Sequence, residues 1–175
     1  MKHMGYELTS MLSQEAFLRD KQELLQAFDP RYVTIQRMAT PKGCLAQFEI
    51  TVHAMTYALF GPKDTQPKAV PKLSFYMEIS ENYPAVAPRI YFSPERRLAH
   101  VNTFSSGTQC TDRWSAYSTM KIVAEKTIRA VIFDENVTRY DSKACAFLEP
   151  WQQKMAAEGK FPTLNPPDKI LRQGT

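Results

Sequence analysis

The sequence predicts one α+β domain: an N-terminal helix, a four-stranded antiparallel meander, a polar loop carrying a cysteine, and C-terminal helices. Three observations predict it. Apolar residues recur at helical spacing before residue 28, the pattern turns to alternation punctuated by Gly and Pro between residues 32 and 92, and the helical period returns after residue 118. Strands clustered in sequence and flanked by helices favour an antiparallel sheet over a βαβ arrangement. A chain of 175 residues suits one domain, and a domain near that size buries roughly 70% of its unfolded surface.

Residues 13–28 read as an amphipathic helix, with Phe17, Leu18, Leu24, Leu25 and Phe28 in one stripe and Arg19, Asp20, Gln22 and Gln26 largely elsewhere. Asp29-Pro30 stops it, because proline pushes the preceding residue out of helical geometry. Residues 32–38 are β-like, Pro41-Lys42-Gly43 is a turn, and residues 44–60 form one long or two short strands ended by Gly61-Pro62. A polar, proline-punctuated loop reaches Lys72, residues 73–80 alternate as a strand, and Pro84 and Pro88 frame a turn before the strand at 89–92. Ser118 is expected to cap a helix reaching about Phe133, with Met120, Val123, Ala124, Thr127, Ile128 and Val131 inward and Lys121, Glu125 and Arg129 as an outer i,i+4 series. A last helical region is expected from Asp141 or Ser142, kinked or restarted by Pro150. The organisation read from this is an N-terminal extension at 1–12, a domain at 13–158 and an extended tail at 159–175, where Gly159, Pro162, Pro166 and Pro167 accumulate.

Composition excludes several classes of function. With 43% hydrophobic and 11% aromatic residues the chain fills a core, so it is not globally disordered. The net charge of +4 is spread without runs of like charge or aromatic interleaving, so neither nucleic acid nor a membrane surface is an expected partner. The cysteines, Cys44, Cys110 and Cys145, form no CxxC pair and no cluster with His3, His53 and His100, so no metal and no cofactor are expected. No signal-peptide core or membrane-length apolar window is visible, which makes a reducing cytoplasm the expected compartment.

Residues 100–114, HVNTFSSGTQCTDRW, carry the chemistry. A lone cysteine is ordinarily a small buried hydrophobe. Cys110, however, sits among Thr, Ser, Gly, Gln and Asp, where exposure would make its thiolate available. Cys44 in a strand and Cys145 on a helix are expected to be inert core residues, and Trp114 a packing anchor.

Several matches in register resemble the ubiquitin-conjugating enzyme family over residues 13–150. Gly61-Pro62 follows the second strand, Tyr83-Pro84 and Pro88 precede the fourth, and His100-Val101-Asn102 stands ten residues ahead of Cys110, where the family has His-Pro-Asn. Gly107 lies three before the cysteine, Asp112 two after, Trp114-Ser115 closes the loop, and Asp134-Glu135-Asn136 ends the next helix. The resemblance implies the ubiquitin-conjugating fold and an acyltransferase. Cys110 would accept the C-terminus of a ubiquitin-like protein, or another activated protein C-terminus, from an activating enzyme as a thioester. It would then pass it to an amine or hydroxyl of a protein acceptor. Asn102 is the candidate oxyanion donor, the alternative being that it hydrogen-bonds the loop backbone. His100 is read as pinning the loop, the alternative being a general base. Asp141, Asp134 and Asp112 are candidates for orienting an acceptor amine; Asp141 lies where the family carries its gating acid, and its alternative role is a helix cap.

Three departures qualify the resemblance. Val101 replaces the motif proline, the segment from Cys110 to Trp114 is short for a eukaryotic member, and Ala85 with Ser115-Ala116-Tyr117 alters both halves of the RING-binding surface. No ordinary RING ligase is therefore expected as a partner. The departures look like those of the bacterial relatives in antiphage operons. Two competing readings are a catalytically inactive binding module for a ubiquitin-like protein or signalling enzyme, and a cysteine hydrolase with a Cys110–His100 dyad.

Overall fold

The computed structural model describes residues 2–110, 113–115 and 117–173, so Asp112 and Ala116 lie outside the described residues. Helix α1 (Lys2–Gln26) leads into strands β1 (Val33–Arg37) and β2 (Cys44–Val52). Strands β3 (Thr56–Leu59), β4 (Lys68–Val70), β5 (Leu73–Ser80), β6 (Arg89–Tyr91) and β7 (Arg97–Leu98) follow, then helices α2 (Met120–Val131) and α3 (Glu149–Ala157).

The meander is the antiparallel sheet β1-β2-β5-β6. From Leu45 onward in β2, and throughout β5, half-buried and buried residues alternate, so Ala46, Phe48, Ile50 and Val52 face the core beside Leu73, Phe75, Met77 and Ile79. The register pairs Phe48 with Met77, Ile50 with Phe75 and Val52 with Leu73. A one-residue slip would turn that whole apolar set outward, so burial fixes the pairing. These side chains share one apolar cluster with Phe17, Leu24 and Phe28 from the α1 end and with the inner face of α2.

A second antiparallel sheet, β4-β3-β7, was not expected; residues 44–60 split between the two sheets, and β4 lies inside the segment read as loop. Thr56 anchors the split by donating its hydroxyl to Val131 O at 2.6 Å, which ties β3 to the end of α2.

Helix α2 buries the six residues expected inward, and its N-cap is Thr119, whose side chain accepts from Ile122 N, rather than Ser118. Ser118 instead bonds Ser115. The outer series is present as ion pairs: Lys121–Glu125 and Glu125–Arg129, each at 2.8 Å.

Helix α1 begins at Lys2, well before the expected start near residue 13. Its buried stripe is Phe17, Asp20 and Leu24, while Leu18 and Leu25 are exposed. Asp20 takes its place in the stripe because its carboxylate is satisfied by the Tyr83 hydroxyl and by Arg19 at 2.9 Å. A carboxylate is buried when such donors replace its water.

The last helix starts at Glu149 with Pro150 in its first turn, where the missing N–H is not needed. Asp141 therefore caps no helix. Segment 159–173 is mostly extended but docked: Phe161 stacks on Phe133 with ring centroids 4.0 Å apart, Ile170 is fully buried, and Leu171 bridges to Phe28. Its Asp168 pairs with Arg129 at 2.6 Å, extending the α2 ion-pair series onto the tail.

Gly107 shows how tightly the cysteine loop is laid on the sheet. It has φ +90°, its carbonyl accepts from Phe92 N at 2.8 Å, and a Cβ there would drive into the Phe92 carbonyl oxygen. Strain and overpacking together make Gly107→Ala destabilising by about 2–4 kcal/mol. Urea unfolding of the variant, beside Gly43→Ala as a control with open space at Cβ, checks this.

Candidate active site

The cysteine loop is stitched to the fold at both ends. Gly107 O and Gln109 N pair with Phe92 N and Ile90 O, at 2.8 and 3.1 Å, which lays the loop along the β6 edge. Thr103 and Gln109 form a bridge whose side chains also bond at 2.7 Å, and Cys110 N donates to Asn102 O at 2.9 Å. The Cys110 backbone is thereby fixed to the candidate motif. Trp114 closes the far side, donating to Pro84 O at 2.8 Å with its ring 5.8 Å from Tyr83. That supports its role as a packing anchor.

His100, Val101 and Asn102 are all buried, and each is held from a different part of the chain. The His100 ring accepts from Asn102 N at 3.2 Å through Nδ1, and Nε2 lies 3.2 Å from Thr138 Oγ1. Burial without a carboxylate partner pushes its pKa down to about 3. Both nitrogens are engaged and the ring stays neutral, which fits a pin rather than a base.

Val101 explains how the loop manages without the motif proline. Its N–H, which proline would lack, donates to Gln152 Oε1 of α3 at 3.0 Å, and its carbonyl accepts from Ala144 N and Cys145 N, both at 2.8 Å. Its side chain lies in a small apolar cluster with Leu59, Ala99, Cys145 and Leu148. Three hydrogen bonds and apolar burial thus replace a preset φ.

The Asn102 carboxamide is a clamp. Its Nδ2 donates to Arg139 O and Ser142 O, both at 2.8 Å, while Oδ1 accepts Arg139 N at 2.9 Å. Both amide hydrogens are committed to backbone carbonyls, so donation to an oxyanion would cost one of these bonds. The clamp sets the position of residues 139–142 beside the cysteine.

Cys110 is partly exposed at a cleft of about 640 Å³ lined also by Asn102, Gln109, Arg113, Lys126, Thr127, Ala130, Asn136, Val137, Arg139 and Ser142. The other two thiols differ. Cys145 is buried, Cys44 is partly exposed at the start of β2 rather than in the core, and burial raises both pKa values. Asp141 is exposed and ion-paired to Arg139 at 3.0 Å, which lowers its pKa; it is not among the cleft-lining residues. Buried Asp134 caps the turn Glu135–Val137 and pairs with Arg129 at 2.9 Å, a structural placement. No group of three or more His, Cys, Asp or Glu suited to a metal occurs among the described residues, and no helix among them is long and apolar enough to cross a membrane.

Sequence reasoning missed Gln152, Arg113, Lys126 and Arg139. Nothing local in the sequence marked any of the four.

No family model matches the sequence, and no curated protein matches it. Among solved structures the fold is similar to that of S. cerevisiae Ubc12, with a TM-score of 0.50 and 15% sequence identity over 89% of this chain and 88% of that one. The chain has the ubiquitin-conjugating fold. At this identity the likeness speaks for the fold, so the expected chemistry rests on the site.

Two measurements check the placements above. Asn102→Ala strands the Arg139 N–H and two carbonyls, and is expected to lower unfolding free energy by about 2 kcal/mol. Circular dichroism during urea titration reads it. For His100, the unfolded imidazole binds a proton near pH 6.5 and the folded one only near pH 3. Stability is therefore full above the unfolded value and declines as pH falls from 6.5 towards 3. Between pH 7 and pH 5 the expected loss is about 2 kcal/mol, and His100→Gln should lack that slope.

Proposed function

We propose that this chain is an acyl carrier of the ubiquitin-conjugating type, with Cys110 as the thioester residue. The observation that carries the reading is the partly exposed Cys110 thiol, held at the rim of a cleft by the Asn102 carbonyl and the β6 edge. In the first step the Cys110 thiolate attacks the thioester formed by an activating enzyme on the C-terminus of a ubiquitin-like protein or another activated protein. A new C–S bond forms and the donor thiolate leaves, an exchange nearly balanced in energy. In the second, an acceptor amine or hydroxyl attacks, the Cys110 C–S bond breaks, and the acceptor's proton passes to solvent or a nearby carboxylate.

His100 and Asn102 act here as positioning residues, and Asp141 is the exposed carboxylate within the clamped segment 139–142 that would orient an acceptor. A buried His100 with both nitrogens engaged weighs against a Cys–His hydrolase. The domain carrying this activity is 13–158 and its setting a reducing cytoplasm, which keeps the thiol free. Val101, Ala85 and the short stretch after Cys110 support placing it among divergent bacterial carriers of antiphage systems, served without an ordinary RING ligase.

Incubation with a cognate activating enzyme, modifier and ATP is expected to give a reductant-sensitive adduct, seen by non-reducing electrophoresis. Cys110→Ala should give none, and Cys110→Ser a reductant-resistant ester. Non-covalent modifier binding without an adduct would favour the binding module, and ester turnover without ATP the hydrolase.

A further inference from the structure

Among the described residues, the one non-glycine residue with positive φ lies at the root of the cleft wall. Phe133, at φ +54°, follows α2; its N–H and that of Asp134 close back on Ala130 O and Arg129 O at 3.0 and 2.9 Å. Glycine is usual at this point of such a helix ending, because a side chain there is strained. Strain of this kind persists only where the surroundings over-determine the conformation. Here the surroundings are aromatic. Phe133 is buried with Phe161 stacked on its ring at 4.0 Å, and with the rings of His100, Trp151 and Tyr57 at 5.6, 6.1 and 6.2 Å.

The C-terminal segment makes a second attachment one residue on. Asp168 pairs with Arg129 at 2.6 Å, Arg129 with Asp134 at 2.9 Å, and Asp134 Oδ1 accepts from Asn136 Nδ2 at 2.9 Å. Asn136, Val137 and Arg139 then line the Cys110 cleft. Cys110 is held separately, by Asn102 O and by the bonds of its loop to β6. Resting on the thioester reading, we infer that residues 159–173 are a strap that sets the cleft wall for the second step, with Phe161 and Asp168 as positioning residues. Loading depends on the thiol, whose attachments do not involve the strap. Discharge depends also on how an acceptor amine is presented along the wall, where a misplacement of about 1 Å costs about 100-fold.

The probes are a fluorescent peptide aryl thioester ending in Gly-Gly and, as acceptor, Nα-acetyl-lysine amide. Cys110 attacks the thioester carbonyl and the aryl thiolate leaves, so loading needs neither ATP nor an activating enzyme; Cys110→Ala supplies the blank. The lysine amine then attacks, the Cys110 C–S bond breaks, the amine's proton passes to solvent, and the peptide ends on the lysine. Phe161→Ala is expected to load within about 2-fold of wild type and to discharge about 10-fold more slowly. Phe161→Tyr should restore discharge, and Asp168→Asn, which removes an exposed ion pair, should slow it about 3-fold. Ile50→Val, a truncation in the sheet core, should leave the ratio of the two rates unchanged. Hydrogen exchange needs no substrate. The Val137 and Thr138 amides, bonded to Asp134 O and Glu135 O, should exchange about 10-fold faster in Phe161→Ala while those of β2 and β5 stay protected.

Loading and discharge that fall together in Phe161→Ala overturn the inference, since a tail that only stabilises the fold lowers both. So does faster exchange at residues 137 and 138 with discharge unchanged, or slower discharge with exchange unchanged. Should Phe161→Ala fail to fold, Phe161→Leu and Asp168→Asn carry the same comparisons. If wild type takes up no peptide, the thioester reading fails, and exchange still decides the strap: selective loss of protection at 137 and 138 upholds its hold on the wall, and unchanged protection overturns it.

Discussion

The cysteine loop depends on one constraint: three consecutive residues, His100, Val101 and Asn102, are buried with most of their polar groups engaged by partners far away in sequence. Buried polar groups without partners cost free energy comparable to a lost hydrogen bond. Residues 138–145 and Gln152 are therefore held wherever those partners are needed. Through the Asn102 carbonyl the same constraint reaches Cys110 N, so the thiol's position follows from how the motif is buried.

The constraint also places charge. The Asn102 carboxamide holds Arg139 by its backbone, and the Arg139 guanidinium is ion-paired to Asp141 at the cleft. On the adjoining face of α2, Arg129 gathers Glu125, Asp134 and Asp168 in a network that also docks the C-terminal segment.

Much of the fold was legible because it rests on local periodicity. The alternation in β2 and β5 and the inward face of α2 are burial patterns that any packing partner would enforce. Gly107 was legible as a motif residue, and its positive φ against the Phe92 carbonyl gives the physical reason. Asp20 misled the reading of α1, because a buried carboxylate is predictable only once Tyr83 is known to face it. The short strands β4 and β7 were not separable from loop, and β3 was legible only as a possible second strand within residues 44–60, since pairs this brief are fixed by where their neighbours lie.

For the site, sequence alone determined the residue types and their spacing. Cys110 sits in a polar loop behind His100 and Asn102, and the flanking motifs carry the resemblance. Tertiary structure decided what each residue does. It placed the Val101 N–H against Gln152, committed the Asn102 amide to residues 139–142, kept His100 neutral, and brought Lys126 and Arg139 beside Cys110. The reason is that a side chain's charge state and free hydrogen-bonding capacity are set by burial and by long-range partners, neither of which is encoded in local spacing.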